Sequence, residues 1–258
     1  MGMSSIVRAA LLFGLAFMVA YLIITRELSY FINPRFQYLS IFSLIFLLIL
    51  GCVQINHYKR PSAHRIGTWG YLIVLLPICA FLLFPSKPLD ASIADQKVYT
   101  YVPTEKTKNQ STDQQQLAQE DDSWEDPYKQ KASELEKLSV ITLSSKNYLE
   151  VTNVLMMYPD KFVGKKIVST GFVYREEGLK DNQFVLARLS MACCVADAGV
   201  VGFLIDTPMS NQFKKDQWYE IEGTFEITKN EMGEVPGIKL KSYKRVPALK
   251  DSYVYQQF

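Results

Sequence analysis

Three long apolar runs, all before residue 86, constrain this chain more than any other feature of it. Ile6 to Thr25 carries one charge, Arg8, and Tyr38 to Ile55 carries none. Each is close to the roughly 20 residues that a helix needs to cross a bilayer at about 1.5 Å per residue. A third run, Trp69 to Phe84, extends back to about residue 67 and contains Pro77, which a membrane helix accommodates with a kink. A helix in a soluble core would keep a polar face, and these runs have none. The sequence therefore predicts a membrane region over residues 1–85, with spans at about 6–25, 38–55 and 67–84. No small-x-small motif follows the first run, so it reads as a retained span and not as a cleaved leader.

The loops set the orientation. "NHYKRPSAHRIG" after the second run holds Lys59, Arg60 and Arg65 without an acid, whereas the first loop mixes Arg26 and Arg35 with Glu27. The positive-inside rule puts the second loop and the N-terminus in the cytoplasm and sends the C-terminal part outside. Tyr30, Tyr38, Trp69 and Tyr71 fall where interfacial aromatic residues are expected.

Residues 86–138 change character. "EKTKNQSTDQQQLAQEDDSWEDPYKQ" has too few apolar residues to offset chain entropy, so it reads as a flexible polar stalk with a helical turn near Ser133 to Leu138. Glu120, Asp121, Asp122, Glu125 and Asp126 lack the spacing and the glycine of a calcium loop, and read as a solvated run.

Residues 139–258 read as a folded domain. Leu149, Val151, Val154 and Leu155 recur at helical spacing before the stop signals Pro159 and Gly164. Five strand-like runs follow, at Lys166–Arg175, Gln183–Cys193, Val200–Asp206, Trp218–Ile227 and Gly237–Val246. In the fourth, Tyr219, Ile221, Phe225 and Ile227 face one way, and Trp218, Glu220, Glu222 and Thr224 the other. A leading helix and five short strands suggest a small OB-like barrel, with a generic α+β sandwich as the alternative.

The densest chemistry lies in "ARLSMACCVADAG". On a straight strand, Cys193 and Cys194 would point to opposite faces. A turn over Val195 to Gly199 would bring both sulfurs to one side, where they can form an adjacent-residue disulfide or bind a soft metal such as zinc together with Asp197. A buried Cys beside an incidental exposed one is the structural alternative. Arg188, a charge among apolar neighbours on the same run, reads as a paired or interface arginine that orients the same patch. The candidate binding residues are thus Cys193, Cys194, Asp197 and Arg188, with Cys193, Cys194 and Asp197 as the candidate metal ligands. Cys52 reads as an ordinary membrane-helix cysteine, and His57 and His64 as headgroup or solvent contacts. No phosphate loop, nucleophile elbow or Cys–His pair appears. Glu220, Glu222 and Glu226 on the strand faces argue against nucleic acid as a partner.

At these residues the chain resembles the YcgQ family of bacterial membrane proteins. The resemblance rests on "INPRF" (Ile32 to Phe36), "FPSKPLD" (Phe84 to Asp90), "GKKIVSTGFVYRE" (Gly164 to Glu176) and "ARLSMACCVADA" (Ala187 to Ala198). It implies a companion role beside a larger multi-spanning permease, in some bacteria under zinc-responsive control. Family members often carry a His-rich second loop, where this chain has only His57 and His64. The expectation is a non-catalytic auxiliary subunit of a permease, in contact with the lipid bilayer and with an extracytoplasmic binding domain. The alternatives are a membrane-anchored thiol/disulfide oxidoreductase and a structural envelope protein.

Overall fold

The computed structural model describes residues 3–57, 68–84, 86–89, 91, 127–175, 178–230, 233–249 and 253–255. They fall into two compact units, Met1–Leu89 with Cys193–Ala196, and Asp90–Ala192 with Asp197–Phe258. The acidic run Glu120–Asp126, most of the expected stalk, and His64 with the basic cluster around it lie outside the described residues.

The first unit contains helices α1 (Met3–Ile24), α2 (Gln37–Asn56) and α3 (Thr68–Leu83). α1 has 22 residues and α2 has 20, which gives lengths of about 33 Å and 30 Å, enough for a hydrocarbon core of about 30 Å. Their apolar side chains stay uncovered: the most apolar windows of the two helices are 11% and 6% buried, the reverse of a core helix in a soluble protein. The third expected span needs correction. Among the described residues α3 has 16, about 24 Å, so two helices there, α1 and α2, are long enough to cross by themselves. Arg8, the one charge in these helices, donates from Nε to the Tyr71 hydroxyl at 2.9 Å, so part of its polarity is met inside the unit.

The second unit holds α4 (Pro127–Glu136), β1 (Val140–Leu143), α5 (Tyr148–Met157), β2 (Lys166–Tyr174), β3 (Gln183–Met191), β4 (Gly199–Asp206), β5 (Trp218–Asn230), β6 (Gly233–Arg245) and β7 (Tyr253–Tyr255). The sheet runs β1-β2-β5-β6-β4-β3-β7, and a further pairing of β2 with β3 closes the middle five strands into a barrel. β1 extends β2 in parallel, and β7 extends β3 in parallel. The barrel interior is filled by Ile167, Phe184, Leu186, Phe203, Ile221 and Phe225, against which α5 packs Val151, Val154 and Leu155. The α5 side chains sit at i, i+3 and i+4, the spacing of one helix face.

The seam between β2 and β3 requires a glycine. Phe172 pairs with Ala187 there, and a Cβ on Gly171 would lie 2.5 Å from the Ala187 carbonyl oxygen. Gly164, at φ 86°, supplies the left-handed turn that lets the chain enter β2.

Candidate functional site

β3 stops at Met191, two residues short of the expected end, and the chain turns before β4 begins at Gly199. Val195–Asp197 form a single 3₁₀ turn inside this loop. Because the strand has ended, the alternation of side chains no longer applies, and the adjacent thiols fall on one side with Sγ atoms 3.7 Å apart. No disulfide joins them in this structure. Asp197 turns back over the loop, and its Oδ1 accepts the Ala192 N–H at 2.9 Å. Ligand atoms of Cys193, Cys194 and Asp197 all lie within 4.8 Å of one another. Cys193 and Asp197 are exposed, and Cys194 is half-buried.

Within the first unit, this segment pairs with the chain between α1 and α2. Ile32 and Cys194 form an antiparallel bridge. The Asn33 N–H donates to the Cys193 carbonyl at 3.0 Å, and the Val195 N–H donates to the Phe31 carbonyl at 2.9 Å. Asn33 is buried, and its Oδ1 accepts the Arg35 N–H at 3.0 Å, which fixes the turn that Pro34 begins. Two sequence blocks some 160 residues apart, "INPRF" and "ARLSMACCVADA", thus meet at the cysteine pair.

Arg188 occupies a different environment from the thiols. It is 1% exposed, so it presents no charge to solvent. Its guanidinium carbon lies 5.6 Å from the Tyr148 ring centre and 5.2 Å from that of Trp218, and Nη2 donates to Ser145 Oγ at 3.2 Å. These are cation–π distances. Tyr148 is fully buried, and burial pushes its hydroxyl up from 10.0 to about 12, against the opposing pull of the Arg188 charge and the Ser169 hydroxyl. The expected paired or interface arginine is therefore an interior one, packed between two aromatic rings.

Other flagged residues stand apart. Cys52 and Cys79 sit on the exposed surfaces of α2 and α3, and a His57 ring nitrogen lies 3.0 Å from the Val53 carbonyl oxygen at the end of α2. In the sequence, Ile32 and Asn33 carry only the family resemblance. An Asn-Pro pair is a turn signal, but nothing local reveals which strand that turn will meet. Arg175 gives no local signal of its role either: it donates to the carbonyl oxygens of Gln183, Ser210 and Phe213 and ties β2 to β3 and to the turn before β5.

The DUF1980 C-terminal domain matches residues 118–256, more than half of the chain, and the DUF1980 N-terminal domain matches residues 7–100. The chain belongs to the DUF1980 family. One DUF1980 relative, "UPF0703 protein YcgQ" of Bacillus subtilis (strain 168), is 26% identical over 283 residues, covering 97% of this chain and 99% of that one. Another, the "Putative two-component membrane permease complex subunit" of Streptococcus mutans serotype c (strain ATCC 700610 / UA159), is 26% identical over 272 residues, covering 98% of this chain and 100% of that one. The resemblance read from the sequence holds. The DUF1980 N-terminal match takes in α2, α3 and all but the first turn of α1, and the C-terminal match takes in the whole barrel.

Proposed function

We propose that this protein is a non-catalytic auxiliary subunit of a membrane permease complex, with its N-terminus in the cytoplasm and its barrel outside, an arrangement in which the shorter α3 crosses together with α1 and α2. One observation carries the reading. The three apolar helices contain a single charged residue, Arg8, while solute and ion routes through a membrane are normally lined by ionisable groups. The pathway then belongs to a partner chain, and this chain contributes an anchor and a binding domain. The end-to-end likeness to a relative named as a permease complex subunit supports the same reading. The excess of Lys59, Arg60 and Arg65 in the second loop supports the orientation.

The connectivity supports reading the barrel as one of OB type. Three consecutive strands β2-β3-β4 run as a meander, β6 returns in parallel beside β4, and β5 closes onto β2. Its binding patch is the β3–β4 loop with Cys193, Cys194 and Asp197, a rim of the kind such barrels use. The link to metal homeostasis rests on this patch and on the family resemblance.

Affinity purification of the tagged chain from mild detergent, at native expression, tests the proposal. A multi-spanning membrane protein should co-purify in fixed ratio. Recovery of this chain alone contradicts it.

A further inference from the structure

We propose that Cys193, Cys194 and Asp197 hold a divalent thiophilic cation of the class of Zn²⁺ and Cd²⁺, with a fourth coordination position open to solvent. This deepens the reading of the β3–β4 loop as a binding patch and does not depend on the permease reading.

The sulfur spacing is the first argument. Two thiolates on one tetrahedral ion, each at about 2.3 Å, lie about 3.8 Å apart. The Sγ atoms stand 3.7 Å apart, so the pair already has the bite of a tetrahedral ion. Adjacent cysteines on a strand cannot offer this bite, and here the end of β3 at Met191 supplies it. A vicinal disulfide would instead need the sulfurs at about 2.05 Å.

The third ligand and its support come next. The Asp197 carboxylate lies within 4.8 Å of both sulfurs, on the exposed side of the loop. Ala192 N–H holds one of its oxygens. The backbone beneath is fixed by Asn33 N–H to the Cys193 carbonyl and by Val195 N–H to the Phe31 carbonyl. Such outer contacts orient metal ligands before the ion arrives. Two thiolates and one carboxylate favour a borderline or soft ion over Mg²⁺ or Ca²⁺, which take oxygen ligands. Three protein ligands and one open position are the arrangement of an exchangeable site, as opposed to a closed structural one.

Binding displaces one proton from each thiol, so each ion bound releases two protons.

The test uses the reduced full chain in mild detergent. Cd²⁺ titration should give thiolate-to-metal charge-transfer absorption that saturates at one ion per chain. Zn²⁺ should protect two thiols from alkylation, read by intact mass and mapped to Cys193 and Cys194. The Cys193→Ser, Cys194→Ser double variant should lose at least roughly 100-fold in affinity, and Asp197→Asn about 10-fold. Cys52, Cys79 and both histidines remain in that double variant, so it also controls for them. Absence of the absorption and of protection in the wild type overturns the proposal, as does undiminished binding by the double variant. A pair recovered from cells as a stable disulfide overturns it too. If the double variant does not fold, the alkylation pattern of the wild type decides alone. None of these outcomes bears on whether a permease partner co-purifies.

Discussion

Arg188→Ala should destabilise the β-domain by about 3–5 kcal/mol, the range of large-to-small changes in a packed core. Arg188 is among the largest fully buried side chains of the chain, and alanine leaves a cavity between Tyr148 and Trp218. The change also removes the donor to Ser145 and both cation–π contacts. Against a typical total of about 5–15 kcal/mol, the loss is large enough to lower the urea midpoint well outside error. Arg188→Lys should recover only part of it, because an ammonium lacks the planar face that stacks on two rings. Arg188→Met, which keeps volume without charge, should be milder than alanine. Equal midpoints for wild type and the alanine variant would show that the guanidinium is not packed as described.

Alkaline pH should destabilise this domain through Tyr148. Its hydroxyl is pushed up from 10.0 to about 12 in the folded state, with burial as the main cause. Below the unfolded value, both states hold the proton and stability is fully present. Between about pH 10 and 12 the unfolded chain loses the proton while the folded one keeps it, so stability falls by about 1.4 kcal/mol per unit, or about 2.7 kcal/mol in all. Denaturant titrations of wild type and Tyr148→Phe at a series of pH values isolate this term from the other tyrosines and the lysines. The phenylalanine variant should show the shallower decline by that amount. Parallel declines would place the phenol in contact with solvent.

How much of this was legible in the sequence differs from one element to the next. The five barrel strands were, because their alternation and turn residues are local signals. β5 illustrates both the success and its limit. Tyr219, Ile221 and Phe225 are buried as the alternation requires, but Trp218, placed with the solvent-facing Glu220, is buried against Arg188 and Phe172. Period two assigns faces and cannot foretell that the outer face is itself covered at one end. β1 and β7, of four and three residues, carry too few positions for any pattern. α4 was hidden in polar composition. Its helix over Pro127–Glu136 buries only Ala132 and Leu135 in the domain core, where a single turn near Ser133 to Leu138 had been expected. The third apolar run reads as a span from its composition, and its helix, Thr68–Leu83, matches the run in length but falls short of the roughly 20 residues of a full crossing.

At the site, the residue types were legible and the geometry was not. Paired cysteines followed by Asp197 announce themselves in the sequence. That β3 would end at Met191, so that both thiols share one side, depended on the loop that follows. The partner segment Phe31–Asn33 lies in another sequence block altogether, and a single sequence carries no signal of such long-range strand pairing. Arg188 was recognised as unusual by its neighbours, but its aromatic partners come from α5 and β5.

The pairing of Phe31–Asn33 with Cys193–Val195 brings the two family-marking blocks together, and an engineered disulfide tests it directly. The hydrogen bonds flank Ile32 and Cys194 without joining them to each other, so the two form a non-hydrogen-bonded antiparallel pair. In such a pair the Cα atoms lie about 4.5 Å apart, within disulfide range. Ile32→Cys, in a Cys193→Ser background with a protease site engineered between residues 100 and 120, should cross-link to Cys194 under mild oxidation of native membranes. The two fragments should then stay together after cleavage until a reductant is added. Fragments that separate without reductant, from protein in which Cys194 remains alkylatable, would contradict the pairing.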